Sequence, residues 1–477
     1  MHFVTVGATE VLIEDLWERI AALVHVRFSH IVHPIVDRSS WAKGAVPRNA
    51  HFFCDEENPR MPEPDRQLLA SLERHDAPTI HNMILGDRIV SKLHYEDALA
   101  YATFLTRRLI ALYESLQPTA VIGGFDALHG GLGFAVAKKM GIPWFAMNFS
   151  VIPPGFACFC NRMSPAARVK LGEQPLHDMR AVAEACLAQF ENRKIQAPAY
   201  ISPPPRSFAD HIAKLPDRAS ALCRTVRKAG RRDLLRFVED PSGHDLRAAL
   251  RHLRRTARAH AALSKIETVS EPPRTPYALF GLHMQPESSI DVWAPFFSNQ
   301  MWVVELLARS IPPTHKLLVK IHKSDVANYS RAQLLRMRSF PGVELAAPSA
   351  DARRLVENAD LLFSIQGTIG LEAALLGKPV IVLGDSPVAL FPSASPIGKI
   401  VDLPKLVRQK LSERPPARRQ ILDAYGEFLK PFAPACYNDW SVRPHDREIE
   451  GCAALFSALS RFLQMSGARS IEAISQR

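Results

Sequence analysis

No stretch of the 477-residue chain runs through the roughly 18 to 20 uncharged apolar residues that a helix needs to cross a bilayer. The opening MHFVTVGATEVLIEDL has neither a basic leader nor a cleavage site, so a cytoplasmic protein is expected, or one peripheral on the inner face of the membrane. Cysteine is sparse and scattered: of the seven residues, only Cys158 and Cys160 lie close together, and no second close pair completes a zinc site. A reduced compartment and a metal-free protein are the expectations. There is no fixed-period repeat, no low-complexity tract, no zinc finger, and no aromatic interleaving of the basic stretch, so nucleic acid is not expected as a partner.

What is present is length, ordinary apolar content and positive charge. A chain this long exceeds one hydrophobic core, and 47% hydrophobic residues suffice for two. The formal charge of +11 is concentrated: Lys214 to Lys265 holds 14 Lys or Arg against 5 Asp or Glu. Within it Arg247, Arg251, Arg254, Arg255 and Arg258 recur at helical spacing among alanines and leucines, predicting an amphipathic helix. Such a patch suits an anionic glycan or acidic lipid headgroups; a solvated helix face is the competing account.

The pattern along the chain predicts an α/β protein. A strand (HFVTVG), a helix from about Glu10 to Val24 and an extended FSHIVHPIV lead into a polar, proline-broken region from Asp37 to Asp65. A long helix from about Tyr95 to Leu116 then feeds the unit Thr119 to Asn148: strand TAVIGG, turn FDALHGG, helix LGFAVAKKMG and strand IPWFAMN. The segment FSVIPPGFACFCNRMSP is expected to be a loop or crossing chain. The pattern from about Ala166 to Lys265 is helical apart from ISPPPRSF, and the linker SEPPRTP precedes alternating strands and helices from YALFGLH to about Pro404, which argue a parallel sheet. The expected division is an N-terminal Rossmann-like domain (1–165), a basic helical insertion (166–270), a C-terminal Rossmann-like domain (271–410) and C-terminal helices (411–477), the two Rossmann-like domains facing a cleft.

The densest signal is Leu361 to Gly384, LLFSIQGTIGLEAALLGKPVIVLG: buried strand, small-residue turn, short helix, glycine stop, buried strand. Such a turn offers backbone N–H groups and the positive end of a helix where open α/β sheets bind phosphates. Two other pieces stand where strands should end: His283 with Gln285, Pro286 and Glu287, and Lys320 with His322, expected to alternate along one strand. Lys320 with His322 and the Gln366 to Glu372 turn would supply the positive charge and N–H donors that stabilise a phosphate leaving group. Glu372 is assigned to ribose hydroxyls, because the glycines around it suggest close ligand approach; complementing the helix dipole is its alternative role. Asp126 and His129 follow a strand end in the first half, where helix capping and local hydrogen bonding are the competing accounts.

The set GLHMQPESSIDVW, LLVKIH and SIQGTIGLEAALLGKPVIVLG resembles the capsule polysaccharide biosynthesis family, over about Tyr277 to Asp385 and more weakly at GGFDALHGGLGFAVAKKMGIPWFAMNFS. Members are similar to GT-B-fold glycosyltransferases, including transferases of CMP-activated Kdo. The resemblance implies a metal-independent glycosyltransferase of cell-surface or capsule polysaccharide synthesis, using a nucleotide-activated sugar, CMP-linked sugars among the candidates. The donor would bind through Gln285, Lys320, His322, Gly367, Thr368 and Glu372. A glycan or lipid-linked acceptor would bind the first domain, with Asp126 as the catalytic carboxylate and His129 as its alternative. Related CMP-sugar enzymes place a His-Pro pair after a Lys-bearing strand; here His322 matches the histidine and Lys323 stands in place of the proline.

Two other functions share this architecture. A nucleotide-sugar 2-epimerase has a similar glycine-and-glutamate turn, but its glycine-rich, acid-containing first loop has no counterpart in MHFVTVGATE. A non-catalytic component of a polysaccharide assembly complex would keep the fold without turnover. For the basic segment, neutralising Arg251, Arg254, Arg255 and Arg258 together is expected to lower co-sedimentation with anionic vesicles and binding to acidic glycans. Wild-type binding to both would make the segment solvated surface only.

Overall fold

A computed structural model describes residues 1–8, 13–33, 46–53, 61–73, 77–171, 179–195, 258–259, 261, 263–323, 325–435 and 446–467. Its strands in chain order are β1 His2–Ala8, β2 Arg27–Val32, β3 Ala50–His51, β4 Ala120–Gly123, β5 Trp144–Phe149, β6 Phe156–Cys160, β7 Tyr277–Gly281, β8 Lys316–Lys320, β9 Val343–Ala346, β10 Leu361–Ser364, β11 Val380–Val382, β12 Ala394–Pro396 and β13 Ala433–Pro434. They form two sheets, ordered β13-β6-β5-β4-β1-β2-β3 and β12-β11-β10-β7-β8-β9. The chain divides into two compact units. Among the described residues, one draws on Met1–His177 and Lys430–Arg477, the other on Asp178–Lys194 and Asp245–Leu429. The two Rossmann-like sheets expected from the sequence are both present.

In unit 1 the strands from β5 to β3 pair in parallel, whereas β6 runs antiparallel to β5 and β13 antiparallel to β6. Sequence alone suggested a loop at β6. The structure corrects this: Pro153 and Pro154 are followed by Gly155 at φ +91°, a left-handed conformation that glycine adopts without steric cost, and the chain reverses there so that FACFC pairs back along β5. The 166–265 helical reading falls mostly outside the described residues, except for the helix Met179–Glu191, which belongs to unit 2.

Each face of the first sheet has its own core. On one, the helix Tyr95–Leu116 buries Leu99, Ala102, Leu105, Leu109, Leu112 and Tyr113, a helical stripe, and the Tyr113 hydroxyl donates to the carbonyl of Gly133 at 3.2 Å. On the other, the terminal helix Asp446–Gly467 inserts Phe456 among Phe3, Trp17, Phe28 and Phe159, with ring centroids 5.2 to 5.7 Å apart. The end of the chain thus completes the core that the first strand begins.

Unit 2 is wholly parallel. Its central strands YALFG, KLLVK and LLFS read as unbroken apolar runs because both faces are covered, and Leu279, Phe280, Leu318, Val319, Leu362 and Phe363 are fully buried. The helices Gln300–Ala308, Arg331–Arg338, Ala352–Asn358 and Thr368–Leu375 supply the crossovers.

Phe456→Ala should lower the stability of unit 1 by about 3–5 kcal/mol, the range for removing a buried aromatic ring, measured by urea denaturation. A loss below about 1 kcal/mol would mean that the terminal helix adds little to this core.

Candidate functional site

Adjacent parallel pairing of β10, β7 and β8 brings three strand ends to one edge of unit 2. Beyond β10 the turn enters the helix Thr368–Leu375 with Gly367 at the N-cap, and no side chain caps the amides there. A helix start of this kind attracts anions through unsatisfied N–H groups and the helix dipole. The glycines, expected to serve ligand approach, have packing reasons as well. A Cβ on Gly370 would lie 2.5 Å from Ser364 Oγ, and one on Gly281 would lie 3.3 Å from Ile369 Cδ1. A Cβ on Gly367 would come 3.0 Å from the His283 imidazole, so turn and histidine face each other.

The polar candidates divide into those held inward and those presented. Gln285 donates through Nε2 to Asp291 Oδ1 at 2.8 Å and accepts at Oε1 from Gln300 Nε2 at 2.8 Å, so its amide fixes the loop after β7. Lys320 is buried and donates to the carbonyls of Ile321 at 2.9 Å and Pro348 at 2.8 Å; burial, reinforced by Lys323, lowers its pKa to about 8. It ties the ends of β8 and β9 together. The expectation that Lys320 and His322 alternate on one strand is corrected: β8 ends at Lys320, and His322 stands in the following loop, half-buried. Burial first, then Lys320 and Lys323, lowers the His322 pKa. Burial, and then the nearby His322, lowers that of His283 to about 4.

Glu372 lies on the second turn of the Thr368–Leu375 helix. Burial pushes its pKa up to about 7; Arg353 opposes the shift, and Asp351 adds to it. The helix beginning at Ala352 therefore shares its surroundings, and Gly367, Thr368 and Glu372 follow one another along a single helix start.

In unit 1, Asp126 occupies the N-cap position of the helix Ala127–Lys139, yet its side chain makes no capping hydrogen bond. Asp87 acts instead from 41 residues earlier: its Oδ2 accepts from Leu128 N at 2.7 Å, and its Oδ1 accepts from Ile89 N and Val90 N, both at 2.8 Å. The Asp126 side chain is 63% exposed, with Arg88 at 3.7 Å, and the adjoining Ala127 is held at φ +63°. Ala is seldom found in that left-handed region, and strain of this kind gathers at functional turns. Sequence reasoning missed Asp87, whose spacing from Asp126 gives no local signal. His129 is buried beneath Gly7, its ring 4.5 Å from that of His33; burial holds its pKa well below the ordinary histidine value.

Of the basic set, Arg258 is described and exposed, while Arg251, Arg254 and Arg255 lie outside the described residues. Among the described residues no cluster of three or more His, Cys, Asp or Glu could hold a metal ion, and no helix is long and apolar enough to cross a membrane. A cavity of about 330 Å³ at the opposite end of β11, lined by Gly377, Pro379, Ser393 and Arg414, contains none of the candidates.

The Glu372 shift has a definite sign. Its carboxyl titrates at 4.5 when unperturbed and near 7 in the fold. Between those values the folded protein holds a proton that the unfolded chain has lost, so stability should fall as pH rises through this window. Glu372→Gln should flatten that part of a stability profile taken from pH 4.5 to 7.5. An unchanged slope would mean that Glu372 ionises normally.

Residues 240–390 match the family model described as capsule polysaccharide biosynthesis protein, a span that contains Gln285, Lys320, His322, Gly367, Thr368 and Glu372. No curated protein matches the chain. Similar solved structures include the Thermosulfurimonas dismutans KpsC beta Kdo 2,4 transferase, at 14% identity and TM-score 0.35 over 64% of this chain and 79% of that one. The beta Kdo 2,7 transferase of the same KpsC has 9% identity and TM-score 0.37 over 96% and 100% of the two chains. S. aureus MnaA, solved with UDP, has 11% identity and TM-score 0.30 over 97% of each. The resemblance carried by GLHMQPESSIDVW, LLVKIH and SIQGTIGLEAALLGKPVIVLG is thus met by the family model over residues 240–390, a segment similar to capsule polysaccharide biosynthesis proteins.

Proposed function

We propose that this protein is a glycosyltransferase of capsule or cell-surface polysaccharide synthesis, taking a nucleotide-activated sugar on unit 2 and a glycan or lipid-linked acceptor on unit 1. The observation that carries the proposal is the meeting of the Gly367–Thr368 helix start with the loops after β7 and β8, inside the segment that matches the family model. The helix amides and His322 receive the donor phosphate, and Glu372 takes the ribose hydroxyls. Gln285 and Lys320 contribute by holding the loops that present these groups.

In the transfer step the acceptor oxygen bonds to the anomeric carbon, the bond from that carbon to the phosphate oxygen breaks, and the departing nucleotide keeps the electron pair. Asp126 accepts the acceptor's proton. The capping of the helix by Asp87 supports this role, since it leaves the Asp126 carboxylate outside the cap and at the surface. Imidazole and N–H donors suffice to meet charge developing on the leaving phosphate, so the proposed reaction is metal-independent. CMP-linked sugars are the first donors to try. The basic segment would hold an anionic glycan or rest on the inner membrane face.

A thermal-shift panel of CMP, UDP and GDP should show stabilisation by one base, because a ligand that binds only the folded state raises the melting temperature. His322→Ala and Glu372→Ala should each weaken that nucleotide about tenfold or more while leaving the fold intact. Unchanged affinity in both variants would count against this site. Product formed from UDP-N-acetylglucosamine without any acceptor would indicate an epimerase instead.

A further inference from the structure

One side chain beside the helix start in unit 2 that the fold does not engage is His283. It is only 7% exposed, two residues past the end of β7, and among the described residues its imidazole makes no hydrogen bond. Its backbone, by contrast, is fastened on both sides. The His283 N–H donates to Gln300 Oε1 at 2.7 Å, and its carbonyl accepts from Gln300 Nε2 at 3.0 Å. Gln300 is itself 3% exposed and also lies within hydrogen-bond reach of Gln285 Oε1 at 2.8 Å and Tyr329 Oη at 3.2 Å. A buried amide thus fixes the position of a ring that bonds to nothing in the fold. Among the described residues the His283 ring nitrogens are not sealed from solvent, so a ligand can reach them.

The ring is aimed at the start of the Thr368–Leu375 helix. The position a Cβ would take on Gly367 is 3.0 Å from His283 Cε1 and 3.4 Å from its Nε2. His322 comes from the next loop, close enough to act on His283 electrostatically, and Lys320 and Lys323 stand by His322 in turn. Two imidazoles and an uncapped helix start therefore come together from three strand ends, with Lys320 and Lys323 close enough to His322 to act on it electrostatically. Each disfavours protonation of its neighbours, a repulsion that an anion placed among them would relieve.

We propose that His283 is a ligand for the phosphate of the bound substrate, donating a hydrogen bond to it jointly with His322 and the amides at Gly367 and Thr368, with Gln300 as its positioning residue. This rests on the donor-site reading and adds a residue to it. Because the site holds neutral imidazole when empty, the ligand's arrival draws a proton onto the pair, and binding near pH 7 is accompanied by net proton uptake.

The test is calorimetry of the full-length protein with CMP, UDP and GDP at pH 7 in two buffers of different ionisation heat. For whichever nucleotide binds, His283→Ala and the polar variant His283→Asn should weaken affinity about tenfold or more and reduce the proton uptake seen with wild type. Both should still fold cooperatively without ligand, as their unliganded melts will show; if the Ala variant does not fold, the Asn variant decides. Wild-type affinity and uptake in the variants would overturn the role of His283 and leave the donor site standing. If the wild type binds no nucleotide, the donor reading fails, and titration with inorganic pyrophosphate decides the rest. Movement of the His283 imidazole signals in nitrogen-15 spectra would support the anion site, and still signals would overturn it.

Discussion

Everything chemically distinctive in unit 2 depends on the parallel pairing of β10, β7 and β8. Parallel neighbours end on the same edge, so loops separated by 40 to 80 residues in sequence open beside one another without any element dedicated to the purpose. The unbroken apolar sequences of the three strands secure that pairing, because both faces are buried and a strand displaced from the sheet would expose its whole length to water. The glycines at 281 and 370 then let the helix after β10 lie close against the strand ends.

Desolvation governs the electrostatics of that edge. Lys320, His322 and His283 are all pushed toward their neutral forms, each chiefly by burial and secondarily by another cation or imidazole beside it. Glu372 is pushed toward its neutral form too, although Arg353 partly counters the shift. Salt-bridged surface residues are instead arranged to stay ionised.

Unit 1 solves a different problem. Its helix Ala127–Lys139 needs an N-terminal acceptor, and the residue at the cap position is an aspartate that does not act as one. A second aspartate, Asp87, reaches in from a separate helical turn and binds Leu128 N–H, while Ala127 adopts a left-handed backbone to make the arrangement possible. The local rule that Asp before a helix caps it fails here, and such a failure marks a turn shaped by something other than helix stability.

The sequence by itself determined the two Rossmann-like units, nearly every strand of the second sheet, and the long helix whose ends at Tyr95 and Leu116 coincide with its apolar stripe. These follow from local periodicity and burial, which are written residue by residue. It also marked the glycine turn and the histidine loops as neighbours of strand ends. Tertiary structure alone decided which polar side chains are engaged by the protein and which lie beside the helix start. Gln285 and Lys320 look like ligands in sequence, yet their polar atoms are engaged by Asp291, Gln300 and two carbonyls. His283 is marked in sequence only as standing near a strand end, and its ring faces the helix start. The antiparallel β6 and the Asp87 cap were hidden for the same reason. Hydrogen-bond partners distant in sequence leave no periodic trace, and only the folded backbone brings donor and acceptor within 3 Å.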